Sequence, residues 1–259
     1  MSTFGESIRI YLSDGTVTGI KFGEIVNKTI QSISCPRFRT SELNTYPESQ
    51  KPGVYFLFGQ DEETGDTKAY IGEAENVYNR LQDHIAKKEF WNEVVFFVSK
   101  DENLTKGHVR YLESRLVEIA NSTGRYKIEN GTQPQLSPLP RPDIAAMEEF
   151  LNYIKLLIGV LGHKFLEDIT TTIKKNTIEN VPITGATQNN QVVLMTSSLE
   201  LFLNINNIKA KAMQTDEGIV VLEGSEAIKD LKPSMPNGYK ELRDKLINNG
   251  TLVLVGDKY

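Results

Sequence analysis

Alternating apolar and polar positions open the chain. Residues 8–26, IRIYLSDGTVTGIKFGEIV, alternate in two runs around Asp14-Gly15, the pattern of a β-hairpin. A polar stretch with Pro36 and Pro47 follows (34–51) and reads as a connector. Residues 53–58 and 68–71 read as two strands joined by the acidic tip GQDEETGDT, and the largely apolar WNEVVFFVS (91–99) as a third, central one. Val77, Leu81 and Ile85 recur at i, i+4, i+8, which predicts a helix after Gly72. Thr105 can cap a second helix to about Asn121, with Val109, Leu112, Leu116 and Ile119 or Ala120 inward.

Between 122 and 142 the glycines and prolines forbid regular helix. A third helix over about 142–158 takes Pro142 in its first turn and sets Ile144, Met147, Phe150, Leu151 and Ile154 on one side. Polar residues 168–190 read as a linker. Strand-like runs at 192–196, 208–213 and 218–223, a helix over 237–248 and a last strand, TLVLV, read as a smaller unit at 191–259. That strand has nothing to cover its edge, so the unit reads as shortened. The expected fold class is α+β: an N-terminal hairpin and connector (1–50), a domain over 51–167, the linker, and the small α+β domain.

Composition narrows the class without naming an activity. With 39% hydrophobic and 24% charged residues in 259, the chain is an ordinary globular one. A net charge of −5 argues against coating nucleic acid by bulk electrostatics but allows a local basic groove. The single cysteine, Cys35, forbids an internal disulfide and fits a reducing compartment, while His84, His108 and His163 are too scattered for a ligand cluster. No basic-then-apolar leader opens the chain, and IKLLIGVLG (154–162) is short of a bilayer span, so a cytoplasmic protein without a membrane partner is expected.

The chemistry-bearing residues gather in the middle. Gly53-Val54-Tyr55 and Tyr70-Ile71-Gly72 fall on neighbouring strands, with Val54 and Ile71 on one face and both tyrosines on the other. Arg80 and His84 are i, i+4 and share one side of the next helix. Glu113 adds a carboxylate from a third element. An arginine can hold a phosphate through its planar fork, and a carboxylate can hold Mg²⁺, which prefers oxygen ligands and keeps most of its waters. Each residue also has a plain structural reading: half-buried strand tyrosines, solvated Arg80, surface His84, and Glu113 paired with Arg110.

Taken in order, G-V-Y, Y-I-G, an arginine eight residues on, a histidine four further and then a helical glutamate resemble the GIY-YIG nuclease family over roughly residues 50–135. The resemblance implies a small three-stranded antiparallel sheet flanked by helices and hydrolysis of DNA with one divalent ion, Mg²⁺ or Mn²⁺. It puts the motif tyrosines at Tyr55 and Tyr70, the phosphate-clamping arginine at Arg80, the metal-binding glutamate at Glu113 and a further site histidine at His84. The family's asparagine falls on Asn130 in preference to Asn121. The acidic hairpin tip is longer than in compact members and is expected to point away from substrate.

Gly53, Gly72, Lys87, Lys88, Lys106 and Arg110 are candidate DNA contacts, with Arg125 and Lys127 close in sequence. The single tryptophan, Trp91, reads as core. The C-terminal part looks like a small domain of unknown function found behind GIY-YIG modules in bacterial proteins, with its usual closing part absent, and is assigned to target or partner recognition. Three readings compete: a bacterial or phage-type endonuclease of repair, restriction, mobility or defence; a nucleic-acid-binding module of the same fold without turnover; and an unrelated α+β interaction protein. One active site cuts one strand per visit, so double-strand cleavage implies a homodimer or sequential events.

Overall fold

Two units divide the chain, residues 1–168 and 169–259. The structure, a computed structural model, describes residues 5–61, 65–167, 200–205, 207–215, 218–231 and 235–259. Both units mix strands and helices, and α+β is the class.

The first unit is built on a mixed sheet of seven strands: β1 (Ile8–Leu12), β2 (Lys21–Ile25), β3 (Ile30–Pro36), β4 (Gly53–Gln60), β5 (Thr67–Ala74), β6 (Trp91–Ser99) and β7 (Lys127–Ile128). Their spatial order is β1-β2-β3-β6-β4-β5-β7, antiparallel throughout except for the short β5–β7 pair. Three helices belong to it, α1 (Val77–Lys87), α2 (Lys106–Thr123) and α3 (Arg141–Val160).

The expected three-stranded sheet is therefore corrected. β6-β4-β5 is the middle of a wider sheet, because β3, which begins ahead of the supposed connector and takes in its first residues, pairs along β6 from Ile30↔Ser99 to Pro36↔Glu93. The sequence conceals β3 because two of its buried positions are serines. Ser32 Oγ donates to the Gly23 carbonyl at 3.2 Å and Ser34 Oγ to Glu93 at 2.6 Å, so both hydroxyls are satisfied in the interior. The rest of the connector forms 3₁₀ helices at Arg37–Thr45 and Pro47–Gln50.

Each face of the sheet carries its own core. Val54, Phe56, Ile71, Val95 and Phe97 pack with α2 and α3 on one face. Ile33, Leu57, Phe96 and Trp91 pack with Leu43 of the first 3₁₀ segment and with Val77 and Leu81 of α1 on the other. Trp91 is buried, as expected. Cys35 is buried too, and loss of solvation pushes its thiol up to about 12, which leaves it un-ionised. Thr105 caps α2 as its position predicts; its side chain accepts from the His108 N–H and the His108 ring from the Thr105 N–H, a reciprocal box.

The second unit contains an antiparallel meander, β8 (Glu200–Ile205), β9 (Ile208–Thr215) and β10 (Gly218–Val221), and α4 (Asn237–Asn248). β9, β10 and α4 fall where the sequence puts them. β8 was not foreseen, and TLVLV is no strand; Val255 makes only an isolated bridge to Lys258. The linker at 168–190 and the run at 192–196 lie outside the described residues. No described helix is long and apolar enough to cross a membrane.

Candidate active site

The register of β4 against β5 sets Tyr55 opposite Gly72 and Leu57 opposite Tyr70. Side chains alternate along strands, so both tyrosines leave the sheet on the face that α1 covers, and Val54 and Ile71 on the other. Gly72 has a steric duty here. A Cβ at this position would overlap the Tyr55 phenol, whose Cε1 would stand 2.9 Å from it. The phenol thus lies across β5 where a side chain would otherwise stand. Gly53 meets β6 closely, and a Cβ there would meet the Phe97 carbonyl and stand 3.0 Å from Val98 Cγ1. Both motif glycines are explained by packing inside the chain, independently of any ligand.

Helix α1 delivers the histidine. Asn76 caps it by accepting the Asn79 N–H at 2.9 Å, and Val77 and Leu81 seat it on the core. Its C-terminal end is tied down by Arg37, which donates to the carbonyls of Ile85 (3.1 Å), Glu89 (2.7 Å) and Trp91 (3.1 Å) and lies 4.8 Å over the indole. His84 is consequently buried, with Nε2 2.6 Å from the Tyr55 hydroxyl. Its ring lies 5.4 Å from that of Tyr55 and 5.2 Å from that of Tyr70, and the two phenol rings are 6.2 Å apart.

Glu113 comes from the far side of the sheet. Helix α2 packs on the opposite face, and the Glu113 carboxylate acts on both tyrosines through its charge, at the end of β5 that β7 leaves open. β7 covers just Lys68 and Ala69. Beyond it the outer edge of β5 is taken by a side chain. Asn130 accepts from the Ile71 N–H at 3.0 Å and donates to its carbonyl at 2.7 Å. Asn130 stands beside the cluster, but its amide is fully used on the strand, so it positions β5. Asn121 is exposed on α2.

The electrostatics of the cluster are mutual. Burial raises the Tyr55 phenol well above its ordinary range, and neighbouring Tyr70 and Glu113 push it the same way. Burial raises Tyr70 too. It also lowers His84 to about 4, aided by Lys88 and Arg80, so the imidazole is neutral at pH 7. Glu113 is lifted to about 7 by burial and by the adjacent Glu73 carboxylate. Arg80 opposes the rise at Tyr55, Tyr70 and Glu113. Its exposed guanidinium has no hydrogen bond or ion pair with any described residue.

Among the described residues there is no group of three or more His, Cys, Asp or Glu side chains able to cage a metal. What the cluster offers a divalent cation is Glu113, with Glu73 and the phenol oxygens beside it. A half-buried carboxylate whose charge the protein under-compensates suits a hard cation that keeps most of its waters.

The remaining basic candidates divide. Lys88 lies over the Tyr70 ring, its Nζ 4.2 Å from the centroid, and Lys87 is exposed on the last turn of α1. Lys106 pairs with Glu75 at 2.6 Å and Arg110 with Glu73 at 3.7 Å, and both pairs fasten α2 to the end of β5. Lys127 lies near Asp61 and Glu129 (3.9 and 4.0 Å) at the other end of the hairpin, where Lys68 neutralises Asp61 at 2.7 Å. Residues 62–64 of the acidic tip lie outside the described set. Glu73 and Arg37 were not foreseen. Glu73 follows directly on Tyr70-Ile71-Gly72, whereas nothing in PRFRT marks Arg37 as the anchor of a helix 48 residues away.

Two cavities, about 780 and 690 Å³, lie elsewhere, and neither is lined by the tyrosines, Arg80, His84 or Glu113. Within the cluster Tyr55 and His84 are buried, Tyr70 and Glu113 are half-buried, and Arg80 is exposed. A family described as a domain of unknown function (DUF4357) matches residues 201–259. No curated protein and no solved structure matches the chain.

Proposed function

We propose that the first unit hydrolyses DNA phosphodiester bonds in the manner of the GIY-YIG nucleases its sequence resembles. The observation that carries the reading is an ordered set of groups on four elements, β4, β5, α1 and α2: the neighbouring tyrosine pair, a neutral histidine on Tyr55, a half-buried carboxylate with raised titration, and an arginine with no partner among the described residues. Arg80 would hold the scissile phosphate through its fork and offset charge as it builds. A divalent ion held by Glu113 would supply charge neutralisation at the leaving oxygen.

A tyrosine raised by burial does not ionise alone near pH 7. With Nε2 of His84 unprotonated, Tyr55 can take a proton from the attacking water while passing its own to that nitrogen. The phenol stays neutral, the imidazole gains the proton, the hydroxide oxygen bonds to phosphorus and the bond to the leaving oxygen breaks. The His84 Nδ1 has no partner among the described residues, consistent with a ring held for one bond only. Tyr70 holds Tyr55 in line.

Nicking of supercoiled plasmid tests the proposal. Activity should need Mg²⁺ or Mn²⁺ and stop with EDTA. Arg80→Ala and Glu113→Ala should each lower the rate by about 10²-fold or more, the usual loss of a preorganised electrostatic partner. A double variant cutting at the wild-type rate would overturn the assignment. Salt-sensitive binding with no nicking by the wild type would leave a binding module in its place.

A further inference from the structure

The second unit poses a physical problem of its own. Not one of its described residues is buried. Fixing a backbone costs about 1–2 kcal/mol per residue, and the main offset is apolar burial. A three-stranded sheet without a covered face does not provide it.

The register shows where the missing burial belongs. Leu203 faces Ala210, Ile205 faces Ile208, and Leu201 and Val221 flank Ala212 from either side. These residues share one face with Ile219, and none of them is charged. The opposite face carries Glu200, Lys209 and Lys211. On the uncharged face Leu203, Ile205, Ile219 and Val221 are 48, 56, 66 and 65% exposed. Monomers rarely leave so continuous an apolar surface in water.

We propose that this face is a homodimer interface, closed by the same face of a second copy. Its relief favours a copy of itself. Large side chains ridge the outer strands β8 and β10, and two alanines leave a trough along β9. A two-fold axis parallel to the strands, set between β8 and β9, lays each β8 ridge into the partner's β9 trough. The sheets then stack about 10 Å apart as an aligned sandwich. Lack of charge removes nucleic acid as the occupant, since phosphates are held by cations. The inference does not depend on the hydrolytic reading.

The full chain tests it by light scattering and by cysteine cross-linking with a short bismaleimide. The native thiol, Cys35, is buried. Wild type should run at twice its monomer mass, and Leu203→Glu should return it to monomer. Ala212→Cys, a small change in the trough, should give a bismaleimide-linked dimer, because the two-fold sets the paired thiols beyond disulfide reach but within that of a short linker. Lys211→Cys, one residue along but on the charged face, should not. A wild type that stays monomeric at the highest concentration assayed, or equal cross-linking at both positions, would overturn the proposal. So would a monomer that shields position 212 from thiol reagents, which would give the face to another part of the chain.

Discussion

The two units place their apolar residues in opposite ways. In the first, both faces of the sheet are covered, so the tyrosine and histidine at β4, β5 and α1 are held by a rigid surround and pay for their burial in shifted protonation. In the second, a meander of similar strand length leaves every described side chain at least partly wet. A cluster of fixed polar groups needs the first arrangement, because a reactive geometry is only as accurate as its support. A surface meant for assembly needs the second.

Core truncation separates the units most sharply. Phe56→Ala, removing a ring packed against Phe58, Phe97 and Phe165, should destabilise the first unit by about 3–5 kcal/mol in denaturant titration. Phe202→Ala, 68% exposed on the charged face of β8, should stay within about 0.5 kcal/mol. Equal losses would dissolve the contrast.

The next effect belongs to pH. Glu113 titrates at about 7 in the fold against an ordinary 4.5, so its ionisation is penalised and stability falls as pH rises between those values. His84, lowered from 6.5 to about 4, runs the other way: stability falls as pH drops through that window. Glu113→Gln should therefore melt higher than wild type above pH 7, by roughly 1–3 kcal/mol once part exposure is discounted, with the gain fading towards pH 4.5. Added Mg²⁺ should raise the melting temperature of wild type and leave the variant unchanged. Gly72→Ala, which forces a methyl into the Tyr55 phenol, should cost about 1–3 kcal/mol and disable nicking beyond what that instability explains. Smallest of all, Lys106→Ala breaks an exposed pair with Glu75 and should change stability by less than about 1 kcal/mol.

Much of this was legible in the chain itself. The faces of Tyr55 and Tyr70, the extent of β6, the Thr105 cap and the stripe of α1 follow from alternation and spacing. β3 did not, because Ser32 and Ser34 are buried with partners that only the fold supplies. The breadth of the sheet was lost with it. β8 was missed beside a polar stretch. At the site, spacing pointed to Glu113 but could not show that its carboxylate is half-buried and raised by that burial and by Glu73, nor that Asn130 is engaged with Ile71. The latter is a fact of register between segments 59 residues apart.

The side-chain amide of Asn130 stands in for one more peptide unit alongside β5. An unpaired strand margin invites another molecule to zip onto it, the first step of fibril growth. Here the margin stays accessible to a ligand while its hydrogen-bonding groups are already spoken for, so the protein can keep a working border exposed without becoming a template for aggregation.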